Sequence, residues 1–295
     1  MQFDDDARLD TSEVQDVRGS RLPGGRATMG GGLVGVIALV LGLLFGTDQF
    51  GLSDGTTGAP AAQMSSEAQV QEQCRTGSDA NSRQDCRTVA VVNSVQDFWG
   101  SEFGRRNATY TPASTVFFTN QVATACGSAT SSVGPFYCPG DRRVYLDLGF
   151  FDELRTKFGS SGGPFAQAYV VAHEYGHHVQ NLMGTLTRAQ DGRTGENSNA
   201  VKVELQADCY GGVWARHATK TPTESTGRPL ITSLTDADIR DGLDAAAAVG
   251  DDRIQERYQG QVTPETWTHG SAQQRQQWFY RGFETGDMAQ CNTFR

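Results

Sequence analysis

A surplus of positive charge is the first thing this sequence lacks: 25 Lys and Arg stand against 34 Asp and Glu, a formal charge of -9. Without a basic stripe to neutralise phosphates, nucleic acid is not the partner the chain is built for. The spacing C-x-x-C is also missing, which argues against a cysteine-held zinc ribbon. The cysteines that are present, Cys74, Cys86, Cys126, Cys138, Cys209 and Cys291, are even in number and all lie beyond residue 70. That distribution fits a disulfide framework in an oxidising compartment. Two equal separations suggest Cys74 with Cys86 and Cys126 with Cys138, leaving Cys209 for Cys291.

Long apolar runs are scarce too, with one exception. From 27 to 47 the chain carries no charge, and its centre reads LVGVIALVLGLLF. At about 1.5 Å per residue the stretch just crosses a hydrocarbon core of roughly 30 Å. Arg18, Arg21 and Arg26 precede it and Asp48 follows. The positive-inside rule therefore predicts a single-pass anchor with the N-terminus cytoplasmic and the rest extracytoplasmic. Residues 1–26, rich in Asp, Gly and Arg, read as a disordered cytoplasmic tail, 27–47 as the transmembrane helix, 48–69 as a flexible linker and 70–295 as one catalytic domain.

Within that domain Val91, Val95, Phe98, Trp99 and Phe103 recur at helical spacing. STVFFT near 114–119 and RRVYLDL at 142–148 read as strands. Pro164 opens a helix that Gly184 stops, and a second helix runs over roughly 197–218. Later helices follow Thr235 and Ser271 as N-caps. The fold class is a mostly helical α+β domain with a small sheet.

The first of those two central helices carries VVAHEYGHHVQ. His173 and His177 lie four apart and so share one face, with Glu174 beside them. Paired neutral imidazoles suit zinc, and Glu174 is placed to take a proton from the attacking water. Gly176 marks a place where another backbone comes close to this helix, because glycine inside a helix otherwise destabilises by about 1 kcal/mol. His178 points some 100° away and reads as a packing or hydrogen-bonding residue. A catalytic zinc site needs a third protein ligand. The continuation that would make a metzincin is absent, since Gln180 and Met183 stand where Gly and His are required. Glu204 and Asp208, one turn apart on the second helix, are the candidates: Glu204 as ligand, Asp208 as the acceptor that orients a histidine. Asp208 as ligand is the alternative, and His217 a poorer one.

AHEYGHHVQ, ELQADCYGGVWA, ACGSATSSVGPFYCPGDRRVYLDLGFF and THGSAQQRQQWFYRGFETGD together resemble the bacterial neutral zinc metallopeptidase family, the membrane-anchored YpfJ-like proteins. The resemblance covers 70–295. It implies a zincin-like fold of the gluzincin type, zinc held by His173, His177 and Glu204, and Glu174 as catalytic residue. By the same comparison His269, with Arg275, is placed to stabilise an oxyanion, or else is a helix-capping or structural histidine. The strand VYLDL serves either as an edge on which a peptide pairs or as an ordinary core strand. Cleavage of a protein or peptide substrate follows as the expected reaction, the alternative being a non-catalytic zinc-stabilised binding module. The absence of a GAMEN segment points toward an endopeptidase.

Overall fold

The computed structural model describes residues 1–19, 66–223 and 226–295. The chain begins with strands β1 (Gln2–Phe3) and β2 (Val14–Asp16). Helices α1 (Ser66–Gln73), α2 (Gly77–Ser82) and α3 (Gln84–Arg105) follow. Next come β3 (Ser114–Phe118), the hairpin β4 (Gln121–Thr124) and β5 (Gly127–Thr130), then β6 (Phe136–Cys138) and β7 (Arg143–Asp147). The remainder is helical apart from β8 (Ile231–Ser233): α4 (Phe150–Thr156), α5 (Pro164–Leu182), α6 (Asn199–His217), α7 (Asp236–Ala248), α8 (Asp251–Gln259) and α9 (Ala272–Thr285). The mixed, mainly helical class expected from the sequence is the one observed.

Local chemistry explains the helix starts. Pro164 sits in the first turn of α5, where its missing N–H costs nothing, and Ser198 accepts from the Val201 N–H to cap α6. Thr235 with Asp238, and Ser271 with Gln274, close reciprocal capping boxes on α7 and α9. The aromatic face of α3 is buried as its spacing predicts. From the neighbouring helix Trp214 donates its indole N–H to Ser94 at 3.2 Å.

Helices α5, α6 and α9 form the centre, and glycines set how close they come. A Cβ on Gly176 would lie 2.9 Å from the Ala207 carbonyl oxygen, so α5 touches the backbone of α6, the close approach its sequence position implied. Between α6 and α9 the fit is tighter still. A Cβ on Gly282 would fall 1.9 Å from the Cys209 carbonyl oxygen, inside any permissible contact. Disulfides link Cys74 with Cys86, Cys126 with Cys138 and Cys209 with Cys291, the three pairs that spacing suggested.

Several expectations need correction. The four-stranded sheet runs in the order β2-β3-β7-β6. β7, the VYLDL strand, is paired on both sides, parallel to β3 and antiparallel to β6, so it is not an edge open to a peptide. The linker expected over 48–69 gives way to helix at Ser66. The supposed tail, 1–26, is folded over its described part: β1 pairs with β8, β2 lies parallel to β3, and Phe3, Ala7 and Val14 are buried in the main core. Acidic residues dominate the composition there and hide three well-spaced apolar anchors. Because β2 shares a sheet with β3, residues 1–19 and the domain lie on the same side of any membrane. A cytoplasmic N-terminus with an extracytoplasmic domain does not fit that sheet. The segment expected to span the membrane, 27–47, lies outside the described residues. Among the described residues no helix is long and apolar enough to cross one.

Candidate metal centre

α5 and α6 run close enough at Gly176 and Ala207 for side chains one turn away to meet. Nitrogen atoms of His173 and His177 and a carboxylate oxygen of Glu204 all lie within 4.8 Å of one another, and all three residues are buried. His173 Nε2 is 3.1 Å from Glu204 Oε2, and His177 Nε2 is 3.4 Å from Glu204 Oε1. The two rings stand nearly perpendicular, with centroids 4.7 Å apart.

The opposite edge of each ring is occupied, and this settles what faces the centre. His177 Nδ1 meets Gln180 Oε1 at 2.8 Å. The same amide donates through Nε2 to the Val203 carbonyl at 2.7 Å, so its oxygen can only accept and His177 Nδ1 must donate. His177 Nε2, on the other edge of the ring, is buried and lacks any hydrogen-bond partner. His173 Nδ1 donates in the same way to Asp208 Oδ1 at 2.8 Å. Asp208 also accepts from Arg275 Nε at 2.8 Å and from the Tyr169 hydroxyl at 2.5 Å. A metal-ligating histidine typically has its second nitrogen held by such an acceptor.

The charges follow from this geometry. Burial opposes ionisation of Asp208, but Arg275 and His173 outweigh it and hold the carboxyl at about 2. For His173, burial works against the charged form, and Asp208 with Glu204 overcomes it and pushes the ring up to about 10. Glu204 is held well below the usual carboxylate range, its burial more than offset by His177 and His173. Burial raises Glu174 instead, and its Oε2 is enclosed with no partner. Two imidazole nitrogens and a carboxylate meet here, and a bound cation would take the place of the proton that the carboxylates hold on His173. An orphaned buried Nε2 and a borderline N,N,O donor set both fit zinc.

A cavity opens beside the cluster, lined by His173, Glu174, Glu204, His269 and Arg275 among others. His269 arrives at the end of a loop fixed by one carboxylate. Asp251 Oδ2 accepts from the backbone N–H groups of Thr268, His269 and Gly270 at 2.8, 2.7 and 3.0 Å. Its Oδ1 faces His269 Nδ1 at 3.3 Å. Burial disfavours charge on His269, yet Asp251 and Glu204 carry its pKa upward. The capping of α9 belongs to Ser271, so His269 does not cap that helix.

The structure thus brings His173, Glu174, His177, Glu204, Asp208 and His269 to one place. Asp208 binds the far edge of His173 and does not join the three converging atoms. His217 is elsewhere, its Nε2 on the Gly286 carbonyl at 2.9 Å. His178, with Tyr137 and the Thr111 carbonyl as partners, has the hydrogen-bonding role read from its angle. The sequence reading missed Gln180, Tyr169 and Asp251. Gln180 was open to discovery, since it follows His177 by three residues on the same helix face. Asp251 was not, because only the folded loop brings residues 268–270 to it.

Comparison with known proteins gives the family. The model of a family described as "Putative neutral zinc metallopeptidase" matches residues 3–294. The uncharacterized protein YpfJ of Escherichia coli (strain K12) is 40% identical over 281 residues, 94% of this chain and 89% of that protein. The uncharacterized protein Rv2575 of Mycobacterium tuberculosis is 60% identical over 185 residues, 63% of each chain. The match thus spans under two thirds of the mycobacterial relative. No solved structure matches the chain at a significant level.

Proposed function

The chain belongs to the neutral zinc metallopeptidase family, and on that premise we propose that it is an endopeptidase whose zinc is held by His173, His177 and Glu204. The carrying observation is the convergence of the three donor atoms beside Glu174, whose buried Oε2 has no hydrogen-bond partner, at a cavity wall. Zinc is the family's cofactor, and bound there it would polarise a scissile carbonyl and acidify water. Glu174 takes the proton from the attacking water and returns it to the leaving amine. Burial raises its proton affinity, which suits both halves of that exchange. His269, held by Asp251, donates toward the oxygen on which negative charge develops. Asp208 keeps His173 oriented and is itself held by Arg275. Such a division of labour is that of a gluzincin-type zincin.

An extracytoplasmic, membrane-attached setting completes the proposal. Three disulfides support the oxidising compartment, and the apolar composition of 27–47 supports attachment that does not carry the N-terminal strands and the domain to opposite sides.

Glu174→Gln tests the reading. Zinc content should stay at one ion per chain while cleavage falls by about 10²–10⁴-fold. A chelator should abolish cleavage by the wild type, and zinc should restore it. Failure of the zinc-loaded wild type to cleave any member of a broad peptide library would sink the peptidase assignment. Loss of zinc at His177→Ala but not at His269→Ala separates ligand from non-ligand. The second variant should lose about 10-fold or more in kcat/KM.

A further inference from the structure

Away from the metal cluster the cavity changes character. The space there amounts to about 670 Å³ with the open solvent at its mouth included. Its apolar lining includes Pro135, Phe150, Phe158, Val170, Val249 and Ile254. These come from separate elements. Pro135 precedes edge strand β6, Phe150 opens α4 and Phe158 follows it. Val170 stands one turn before His173 on α5, Val249 links α7 to α8, and Ile254 belongs to α8. The helical spacing of Val170 and His173 puts the apolar wall and the metal-facing ring on one side of the same helix.

No charged side chain lines that wall. The charged members of the lining are His173, Glu174, Glu204, His269 and Arg275, all at the metal end. Arg275 is already spent, its guanidinium on Asp208 and on the Tyr169 hydroxyl. A charged substrate side chain entering here would give up its water with nothing to replace it. An aliphatic or aromatic one would gain its transfer free energy.

Resting on the peptidase reading, we infer that this wall is the specificity pocket and that the enzyme cleaves next to a bulky apolar residue such as Leu, Met or Phe. The continuity of the wall with the Glu174 carboxylate identifies the occupant. A peptide whose scissile carbonyl lies at Glu174 must place a neighbouring side chain within a few ångströms, and the cavity is the space that receives it. Val249, half-buried on the wall and distant from the donor cluster in sequence, controls the depth of the pocket.

The test uses the full chain loaded with zinc and a peptide library varied on both sides of the scissile bond. One flanking position should favour Leu, Met or Phe over Asp or Lys by about 10–200-fold. Val249→Phe, which fills the pocket, should shift that preference toward Ala. As a second measurement, zinc-loaded Glu174→Gln should bind a Leu-containing peptide at least about 10-fold more tightly than its Asp counterpart, read by calorimetry. Cleavage with a flat or charge-seeking profile, or a profile indifferent to Val249→Phe, overturns the pocket while leaving the peptidase standing. Should the wild type cleave nothing, the peptidase reading fails, and the binding measurement alone decides: preference for Leu keeps the pocket, and equal binding removes it.

Discussion

The amide of Gln180, committed as a donor to the Val203 carbonyl, fixes the tautomer of His177 from outside the converging donors. Gln180→Leu should leave both His177 Nδ1 and that carbonyl unsatisfied. Zinc affinity, read by competition with a chromogenic chelator, is expected to drop by about 10–100-fold. Affinity equal to wild type would show that α5 packing alone holds the ring. A different residue governs how the fold responds to pH. Glu13 is raised from 4.5 to about 7, by burial first, then by Asp10 and Asp97, against a hydrogen bond from Asn93. Its folded pKa exceeds its unfolded one. The stability it contributes is therefore complete below pH 4.5 and lost as pH rises through 7. Glu13→Gln keeps the acceptor for Asn93 without the charge. It should be more stable than wild type at pH 8 by roughly 1–2 kcal/mol, discounted for partial exposure, and indistinguishable near pH 4.5. Denaturant melts at both pH values check this, and a constant offset between them would refute it.

Among the elements, the helix pair α6 and α9 has the least tolerance for change. With the Cβ of Gly282→Ala directed into the Cys209 carbonyl, the helices must separate, and Arg275 on α9 must then draw away from Asp208 on α6. Destabilisation of about 1–3 kcal/mol or more is expected, together with weaker zinc binding. A thermal melt and a zinc titration on the same sample test the coupling, which would be absent if the melt dropped while zinc affinity held. Much at this scale was legible beforehand. Pro164, Gly184, Thr235 and Ser271 mark helix ends by local chemistry, and Gly176 announced a close approach. HExxH is read from helical period alone, and Glu204 and Asp208 show the same four-residue spacing. What period cannot supply is which neighbour a strand finds. VYLDL has the pattern of any half-buried strand, and its place between β3 and β6 depends on pairing with residues 114–118 and 136–138. The apolar cavity wall was hidden for the same reason, its members being scattered from Pro135 to Ile254.

At the scale of the molecule, the first nineteen residues change how the chain must be arranged. Asp10 N–H donates to Asn93 Oδ1 and the Asp10 carbonyl accepts from Asn93 Nδ2, both at 2.9 Å, binding the segment to α3. Phe3 N–H and carbonyl make the same reciprocal pair with Asn81. The Met1 amino group meets Asp238 on α7. Reading this stretch as a tail was natural, because acidic composition outweighs three apolar residues in any window average. Deletion of residues 2–17 should expose the outer edge of β3 and remove Phe3 and Val14 from the core. Several kcal/mol of stability would go with them, at about 1.5–3 kcal/mol for each large side chain. The topological consequence can be measured in cells. Ser12 and Glu256 are exposed and lie on opposite sides of the 27–47 segment in sequence. In single variants Ser12→Cys and Glu256→Cys, a membrane-impermeant thiol reagent should label both, since one folded body carries both positions outside the membrane, and labelling of neither would overturn the extracytoplasmic setting. Labelling of Glu256→Cys with full protection of Ser12→Cys would mean that the N-terminal strands leave the sheet in the membrane-bound protein, and that the positive-inside reading was right after all.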